Sequence, residues 1–231
     1  EFWLACIDNV KAKNEKRGFV MSNTWDQLYS VIKASGRDTV INENGLGDRD
    51  NAFSKLQISD KSVLGAIISN TCGITVDNWI RILGSSSENN RGMLTYNEIG
   101  DDGRPNKVDG MLIVADDVVG GTFAINSGKY STGVGEIWYF APDTLTWESM
   151  EVKHSEFILW VFQGDIDGFY KNIRWKKWKK DCKEVGFNQG MLIYPFLWSN
   201  EIKIEKATKK VVPVEELFEI NQQYSKKFNL S

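Results

Sequence analysis

The residues best suited to acid–base chemistry are two adjacent carboxylates, Asp116 and Asp117, which follow the apolar run MLIVA and precede Gly120 and Gly121. Neighbouring side chains of an extended segment point to opposite faces, so these two carboxyl groups are poorly placed to act as an acid and a base on one substrate. An aspartate beside two glycines is more typical of a turn held by side-chain-to-backbone hydrogen bonds. We interpret the stretch as a turn, and as a binding site only if a groove forms beside it.

His154 is the single histidine, which argues against a metal centre built from several histidines and provides one candidate general base. Its surroundings favour a place near the start of a helix. A Cys–His couple with Cys72 or Cys182 stays open, because catalytic partners need not be neighbours in sequence. The three widely spaced cysteines form neither a CxxC motif nor a disulfide framework, which favours reduced, structural thiols.

No motif predicts a cofactor or a metal ion. The glycines do not form GxxxxGK[ST] or GxGxxG between a strand and a helix. The loop DDGRPNKVDG lacks the sixth-position glycine and the terminal glutamate of a calcium loop, and therefore reads as a solvated turn.

The most basic stretch is RWKKWKK, in which Trp175 and Trp178 are spaced to share a helical face. Such a patch suits a membrane surface or a nucleic acid. Nearby acidic residues dilute the positive charge, so we favour two tryptophan rings docked on the core with lysines extending into solvent.

Aromatic residues surround one turn in GEIWYFAPDTLTWE, where Pro142 and Asp143 stand between two strand-forming runs. The pattern predicts a β-hairpin. Strand alternation should bury one set of aromatic side chains and leave the other to line a groove, together with Tyr194 and Trp198. The sequence alone does not decide which of the two sets, the one with Trp138 or the one with Trp147, faces the solvent.

The chain has 231 residues, 42% hydrophobic and 12% aromatic, with a formal net charge of −3. This composition supports a sizeable core, and the balanced charge argues against nucleic-acid binding. No run of 18 apolar residues predicts a transmembrane span. We predict a tail or tether over residues 1–20, one globular domain over 21–231, and a cytoplasmic location; the alternative is a lipid-anchored lipoprotein, if Cys6 ends a truncated signal.

The elements that must position these residues change type along the chain. Amphipathic spacing predicts helices over residues 24–34, 50–56 and 61–70, then short strands from Ile74 to Trp147, then helices again. GMLIYPFLW reads as a buried strand ended by Pro195, and a last helix is predicted from Val214 to Phe228. The order favours an α+β fold in which an antiparallel, curved meander packs against N- and C-terminal helices.

Three blocks, ADDVVGGTFAIN, YFAPDTLTW and YPFLW, occur in this order. With the segments around them, from Trp25 to about Trp198, they resemble the bacterial domain of unknown function 2625 family. The order of strands and turns is also similar to that of the SUKH superfamily, which includes cell-wall-synthesis regulators and bacterial immunity proteins that neutralise toxins. The resemblance implies binding rather than catalysis.

We therefore expect a non-catalytic binding module, of the immunity type, whose partner is a protein toxin. The predicted binding residues come from these blocks and are Asp116, Asp117, Gly120, Gly121, Asn126, Trp138, Asp143, Trp147, Tyr194 and Trp198. The alternative is a small hydrolase-like enzyme that uses Asp116, Asp117, Glu136 or His154 in a pocket. The oligomeric state is left open.

Overall fold

The computed structural model describes residues 23–43 and 48–230. The predicted tail over residues 1–20 and Cys6 lie outside them. The helices of the described residues are α1 (Thr24–Ser35), α2 (Arg49–Leu56), α3 (Val63–Asn70), α4 (Met93–Tyr96), α5 (His154–Gln163), α6 (Ile166–Phe169), α7 (Trp178–Asp181) and α8 (Val214–Lys227).

Seven antiparallel strands form one sheet, and each strand pairs with its neighbour in sequence. They are β1 (Thr39–Glu43), β2 (Thr71–Val76), β3 (Ile80–Ile82), β4 (Met111–Asp117), β5 (Thr122–Asn126), β6 (Glu136–Ala141) and β7 (Thr146–Lys153). The α+β class and the predicted meander are thus confirmed. A separate two-stranded sheet contains β8 (Gln189–Tyr194) and β9 (Thr208–Pro213).

A tight turn at Asp77 and Asn78 joins β2 to β3. Their φ angles are 54° and 52°, in the left-handed region. Two-residue hairpin turns of this kind need positive φ at both central positions, and Asp and Asn tolerate it better than most residues. This turn sets the register of β2 with β3, in which Thr75 faces Arg81.

The central strands are buried on both faces, since every residue of β3 is buried and β4 has only one partly exposed residue. Helix α1 packs on α3 and α5, and α3 contacts β2. Leu28 and Ile32 of α1 are buried, whereas Trp25 is only half-buried. Asn23 caps α1, because its Oδ1 accepts the Asp26 N–H at 2.9 Å.

The basic stretch RWKKWKK docks its two tryptophans on the core and leaves its four lysines exposed, as predicted. Trp175 and Trp178 surround the buried Trp79, with ring centroids 5.9 and 5.2 Å from it. Trp175 precedes α7, so the two rings do not share a helix. The Arg174 guanidinium covers the Trp178 ring at 3.9 Å.

The last helix packs on the two-stranded sheet and on the turns at the end of the large one. Leu217 and Phe218 of α8 are buried. The Asn221 amide donates to the Gly120 carbonyl at 3.3 Å, and the Ser225 hydroxyl donates to the Leu145 carbonyl at 2.8 Å. Among the described residues, no helix is long and apolar enough to cross a membrane.

Candidate functional site

Asp116 lies in the interior between two arginines. Its Oδ1 accepts the Arg81 Nε–H at 2.6 Å, and its Oδ2 pairs with the Arg91 guanidinium. The side chains of Asp116 and Arg81 are 1% and 2% exposed. Because Arg81 stands opposite Asp116 on the neighbouring strand, the pairing of β3 with β4 brings the two charges together.

The two arginines also bind backbone carbonyls. Arg81 donates to the carbonyls of Asp117 (2.8 Å) and Gln189, and Arg91 donates to the carbonyl of Phe187. Their guanidinium groups therefore tie β3 and β4 to the segment that enters β8. We call Arg81, Arg91, Asp116 and Asp117 the interior charge network.

Asp117 fixes the turn between β4 and β5. Its Oδ1 accepts the N–H groups of Val119 (3.0 Å) and Gly121 (2.8 Å), and its Oδ2 accepts the Tyr139 hydroxyl at 2.8 Å. Burial raises the pKa of Asp117, while the Tyr139 hydroxyl and the Gly121 N–H act to lower it. The turn predicted from Asp117 and the glycines is confirmed.

Glycine is required at this turn. A Cβ on Gly121 would come within 2.1 Å of the Asp117 Oδ2 and 2.3 Å of the Tyr139 hydroxyl oxygen, and Gly120 has a φ of 98°. Both glycines thus serve the turn itself.

Asp116 and Asp117, two of the predicted binding residues, are buried in the interior charge network. They are buried because β3 and β4 are covered on both faces of the sheet. The sequence pattern of these strands did not predict this burial.

Asn126 is also buried, and it organises the loop between β5 and β6. Its Nδ2 donates to the carbonyls of Tyr130 (2.8 Å) and Thr132 (2.9 Å), and its Oδ1 accepts the Gly128 N–H at 3.1 Å. The Trp138 ring stacks on Tyr130 at 4.1 Å beside this loop.

The structure shows which side chains of β6 face the core. Ile137 and Tyr139 face the core, and Trp138 lies on the opposite face, half-buried. Trp147 meets Phe140 edge-on at 5.4 Å. These contacts do not bring Trp138 and Trp147 to Tyr194 and Trp198, which belong to another group of rings.

That other group forms a ladder at the surface, with neighbouring ring centroids 4.3–5.7 Å apart. Its members come from the segment that ends β8 and from α8, and we call it the aromatic ridge: Tyr194, Phe196, Trp198, Tyr224 and Phe228. Tyr194 is 62% exposed and Phe228 is 46% exposed. Phe196 stacks on Trp198 at 4.3 Å, with the ring planes 8° apart.

His154 and the two described cysteines are buried. Burial lowers the pKa of His154 to about 4, which keeps the imidazole neutral near pH 7. Burial raises the pKa of the Cys182 thiol to about 12, so this thiol is a poor nucleophile. Neither arrangement resembles an activated Cys–His couple.

Asp143 lies at a surface cleft of about 410 Å³ between the β6–β7 turn and the segment around α6. Glu148 also lines this cleft, and burial together with the Asp143 carboxylate raises its pKa. His154 lines neither this cleft nor the smaller apolar one beside α1. In the part of the chain that the structure describes, no three His, Cys, Asp or Glu residues are grouped to hold a metal ion.

Sequence reasoning missed the basic partners of Asp116 and the acidic partner of Asp143. The signal for Arg81 was present, since it stands alone between isoleucines in the strand WIRIL. A charge at such a position requires a buried counter-charge. Glu148 had no comparable signal, because exposed glutamates in a strand are common.

Comparison with known proteins gives a family without a described activity. Residues 19–217 match the family described as "Protein of unknown function DUF2625". The "Putative uncharacterized protein YbfG" of Escherichia coli (strain K12) is 38% identical over 210 residues, 89% of this chain and 94% of that protein. An "Uncharacterized protein" of Haemophilus influenzae (strain ATCC 51907 / DSM 11121 / KW20 / Rd) is 35% identical over 212 residues, 90% of this chain and 93% of that protein.

No solved structure matches the chain. The similarity to the SUKH superfamily therefore stays a prediction.

Proposed function

The chain belongs to the DUF2625 family, and from this premise we propose that it is a non-catalytic protein-binding module whose contact surface is the aromatic ridge. The observation that carries the proposal is the ridge itself, in which five rings at the surface contact one another in sequence. Aromatic side chains provide most of the binding energy at many protein interfaces, because they bury a large area and lose little rotamer entropy.

The position of the ridge supports this role. Tyr194 is the last residue of β8, Tyr224 lies on α8 and Phe228 is the C-cap of α8, so well-packed elements hold the rings in place. Rigid placement lowers the entropic cost of binding. Lys226 and Lys227 are exposed beside the rings and provide a charged rim.

We propose further that the partner is a toxin which the module occludes, as in immunity proteins. The support is the similarity to the SUKH superfamily in the order of strands and turns. An acidic surface that attracts a basic toxin would consist of Asp143 and Glu148, since Asp116 and Asp117 are buried.

The competing proposal is a small enzyme that uses His154 or a carboxylate. The neutral, buried imidazole and the paired carboxylates of the interior charge network do not support it. Groups that act on a substrate must reach it within hydrogen-bond distance.

The test compares wild type with Tyr194→Ala and Trp198→Ala, using Tyr29→Ala on α1 as the control, because Tyr29 is another exposed aromatic (40%) on a distant element. Proteins of a host lysate are cross-linked to each immobilised variant, and the captured protein is purified and its affinity measured. We expect an affinity loss of at least about 10-fold for the ridge variants, and none for the control.

Equal affinity for all variants would remove the ridge from the interface. Turnover of a hydrolase substrate by the wild type that His154→Ala abolishes, with the far-UV spectrum unchanged, would establish the enzyme instead.

A further inference from the structure

The cleft at the β6–β7 turn has the size of a ligand site. Its volume of about 410 Å³ lies within the range of roughly 300–1,000 Å³ that is usual for small-molecule sites. One wall is the turn after β6, with Asp143 and Thr144, and the other is the segment from Gly168 to Ile173.

The floor of this cleft is aromatic and apolar. Phe169 and Tyr139 line it, together with Ala141 and Ile173. Tyr139 is held firmly, because its hydroxyl donates to the buried Asp117 at 2.8 Å and its ring meets Phe169 at 5.2 Å. Aromatic walls of this kind attract cations through the ring quadrupole.

The rim carries two carboxylates, those of Asp143 and Glu148. Among the described residues, no basic nitrogen lies within 4.0 Å of Asp143 or Glu148. The Glu148 carboxylate accepts a hydrogen bond from the Thr144 hydroxyl at 3.4 Å. Lys171 also lies in the lining, and Asn172 adds an amide beside it.

The two carboxylates repel one another. The Asp143 charge and partial burial both raise the pKa of Glu148. A cation placed between them would relieve this repulsion. A bare divalent metal fits poorly, because hard cations prefer six or more oxygen ligands and the cleft provides an aromatic floor.

We propose that this cleft binds an organic cation, a guanidinium or primary ammonium group on a short apolar stem, with Asp143 and Glu148 on the charge and Phe169 against the stem. Two sources share this chemistry, a free small amine and a basic side chain of a partner protein. The inference goes beyond the proposed role of the aromatic ridge and does not require it.

The cleft and the ridge nevertheless flank one turn. Ser225 of α8 donates to the carbonyl of Leu145, two residues after Asp143, while its neighbour Tyr224 belongs to the ridge.

The experiment titrates the full chain with N-acetyl-arginine amide and follows the backbone amide signals by NMR. N-acetyl-citrulline amide is the uncharged match, and agmatine represents the free amine. The variants are Glu148→Gln and Asp143→Asn, and the control is Glu151→Gln, an exposed glutamate on the same strand that does not line the cleft.

We expect saturable shifts at residues 143–148 and 168–173 with both cations and none with the citrulline analogue. Glu148→Gln should weaken binding about 10-fold, equivalent to about 1.4 kcal/mol, and Glu151→Gln should leave it unchanged. Tighter binding of the arginine analogue than of agmatine would identify a partner's side chain as the source, and the reverse would identify a free amine.

The proposal is overturned by equal binding of the citrulline analogue or by unchanged binding in Glu148→Gln. It is also overturned if no saturable shift occurs up to about 10 mM, where a site of millimolar affinity would be nearly filled. Failure here leaves the ridge experiment unaffected, because Tyr194→Ala changes no residue of the cleft.

Discussion

Two pairs of acidic residues near turns of the sheet differ in burial: one pair is buried and the other is exposed. Asp116 and Asp117 end β4 and lie in the interior, where arginines, backbone N–H groups and a tyrosine hydroxyl satisfy their oxygens. Asp143 and Glu148 flank the β6–β7 turn, remain exposed and have no basic partner among the described residues. The same residue type is therefore structural in one place and available to a ligand in the other, and the difference lies in burial and counter-charge.

The comparison has an energetic consequence. Removal of one partner from a buried ion pair leaves an uncompensated charge in a medium of low dielectric constant, whereas an exposed carboxylate is solvated with or without a partner. Substitutions in the two regions should therefore change the free energy of unfolding by different amounts, and even in opposite directions.

The largest effect is expected from Asp116→Asn, which leaves Arg81 and Arg91 buried without their shared counter-charge. We expect a loss of about 3–5 kcal/mol in the free energy of unfolding, measured by urea denaturation. Asp143→Asn provides the exposed control. A loss below about 1 kcal/mol in Asp116→Asn would mean that the interior carboxylate is dispensable and the comparison fails.

For the same reason, Asp116→Lys combined with Asp117→Lys would test the stability of the fold rather than the association with a partner. The introduced ammonium groups would lie beside the guanidinium groups of Arg81 and Arg91.

The second effect is a loss of stability in acid caused by buried His154. Its pKa of about 4 in the folded protein is below the ordinary 6.5, so the unfolded chain binds a proton between these values and the folded one does not. Stability is then fully present above pH 6.5 and falls as the pH drops towards 4. At about 1.4 kcal/mol per unit the loss approaches 3 kcal/mol.

The measurement is urea denaturation of wild type and His154→Gln at a series of pH values from 7 to 4. Gln does not titrate, so the variant should lose less stability across this range than the wild type. Parallel curves for the two proteins would show that the imidazole takes up its proton at the same pH in the folded and the unfolded chain, and would contradict the lowered pKa.

The smallest effect concerns the exposed pair and has the opposite sign. The pKa of Glu148 is raised by partial burial and by Asp143, so its ionised form costs stability at pH 7. Glu148→Gln should raise the free energy of unfolding by a few tenths of a kcal/mol after solvent screening. The gain should vanish at a pH below the pKa of Glu148, where wild type carries no charge there either.

Thermal denaturation of both proteins at pH 7 and in acid checks this expectation. A clear destabilisation by Glu148→Gln at pH 7 would show that this carboxylate makes a stabilising contact in the folded protein. The difference between the exposed Glu148 and the buried Asp116 would then not hold.

Sequence patterns predicted the elements well where periodicity was strong. The helix from Thr24, the last helix from Val214 and the four strands between Met111 and Trp147 appear as expected, and the last of these strands continues to Lys153. The sheet is wider than the predicted meander, because β1 to β3 extend it in sequence order. The prediction that Trp175 and Trp178 share one helical face is wrong, because Trp175 precedes α7.

The candidate residues were separated by the fold. Ten residues were predicted to take part in binding. Asp116, Asp117 and Asn126 are buried, Trp138 stacks on Tyr130, and Trp147 meets Phe140 edge-on. Tyr194 and Trp198 do belong together, through Phe196 and two aromatic residues of α8. Their predicted role in binding stays a prediction.

The sequence by itself determined the class of the fold, the order of the strands and the turn at Asp117, because these depend on spacing, propensity and hydrogen bonds between near neighbours. Only the tertiary structure decided which carboxylates are buried, since Arg81 and Arg91 lie 35 and 25 positions from Asp116. The same holds for the aromatic ridge, whose rings come from segments about 30 residues apart and meet only when α8 docks beside β8. Charge pairing and surface contacts between distant segments depend on how elements pack, and local patterns carry no information on that.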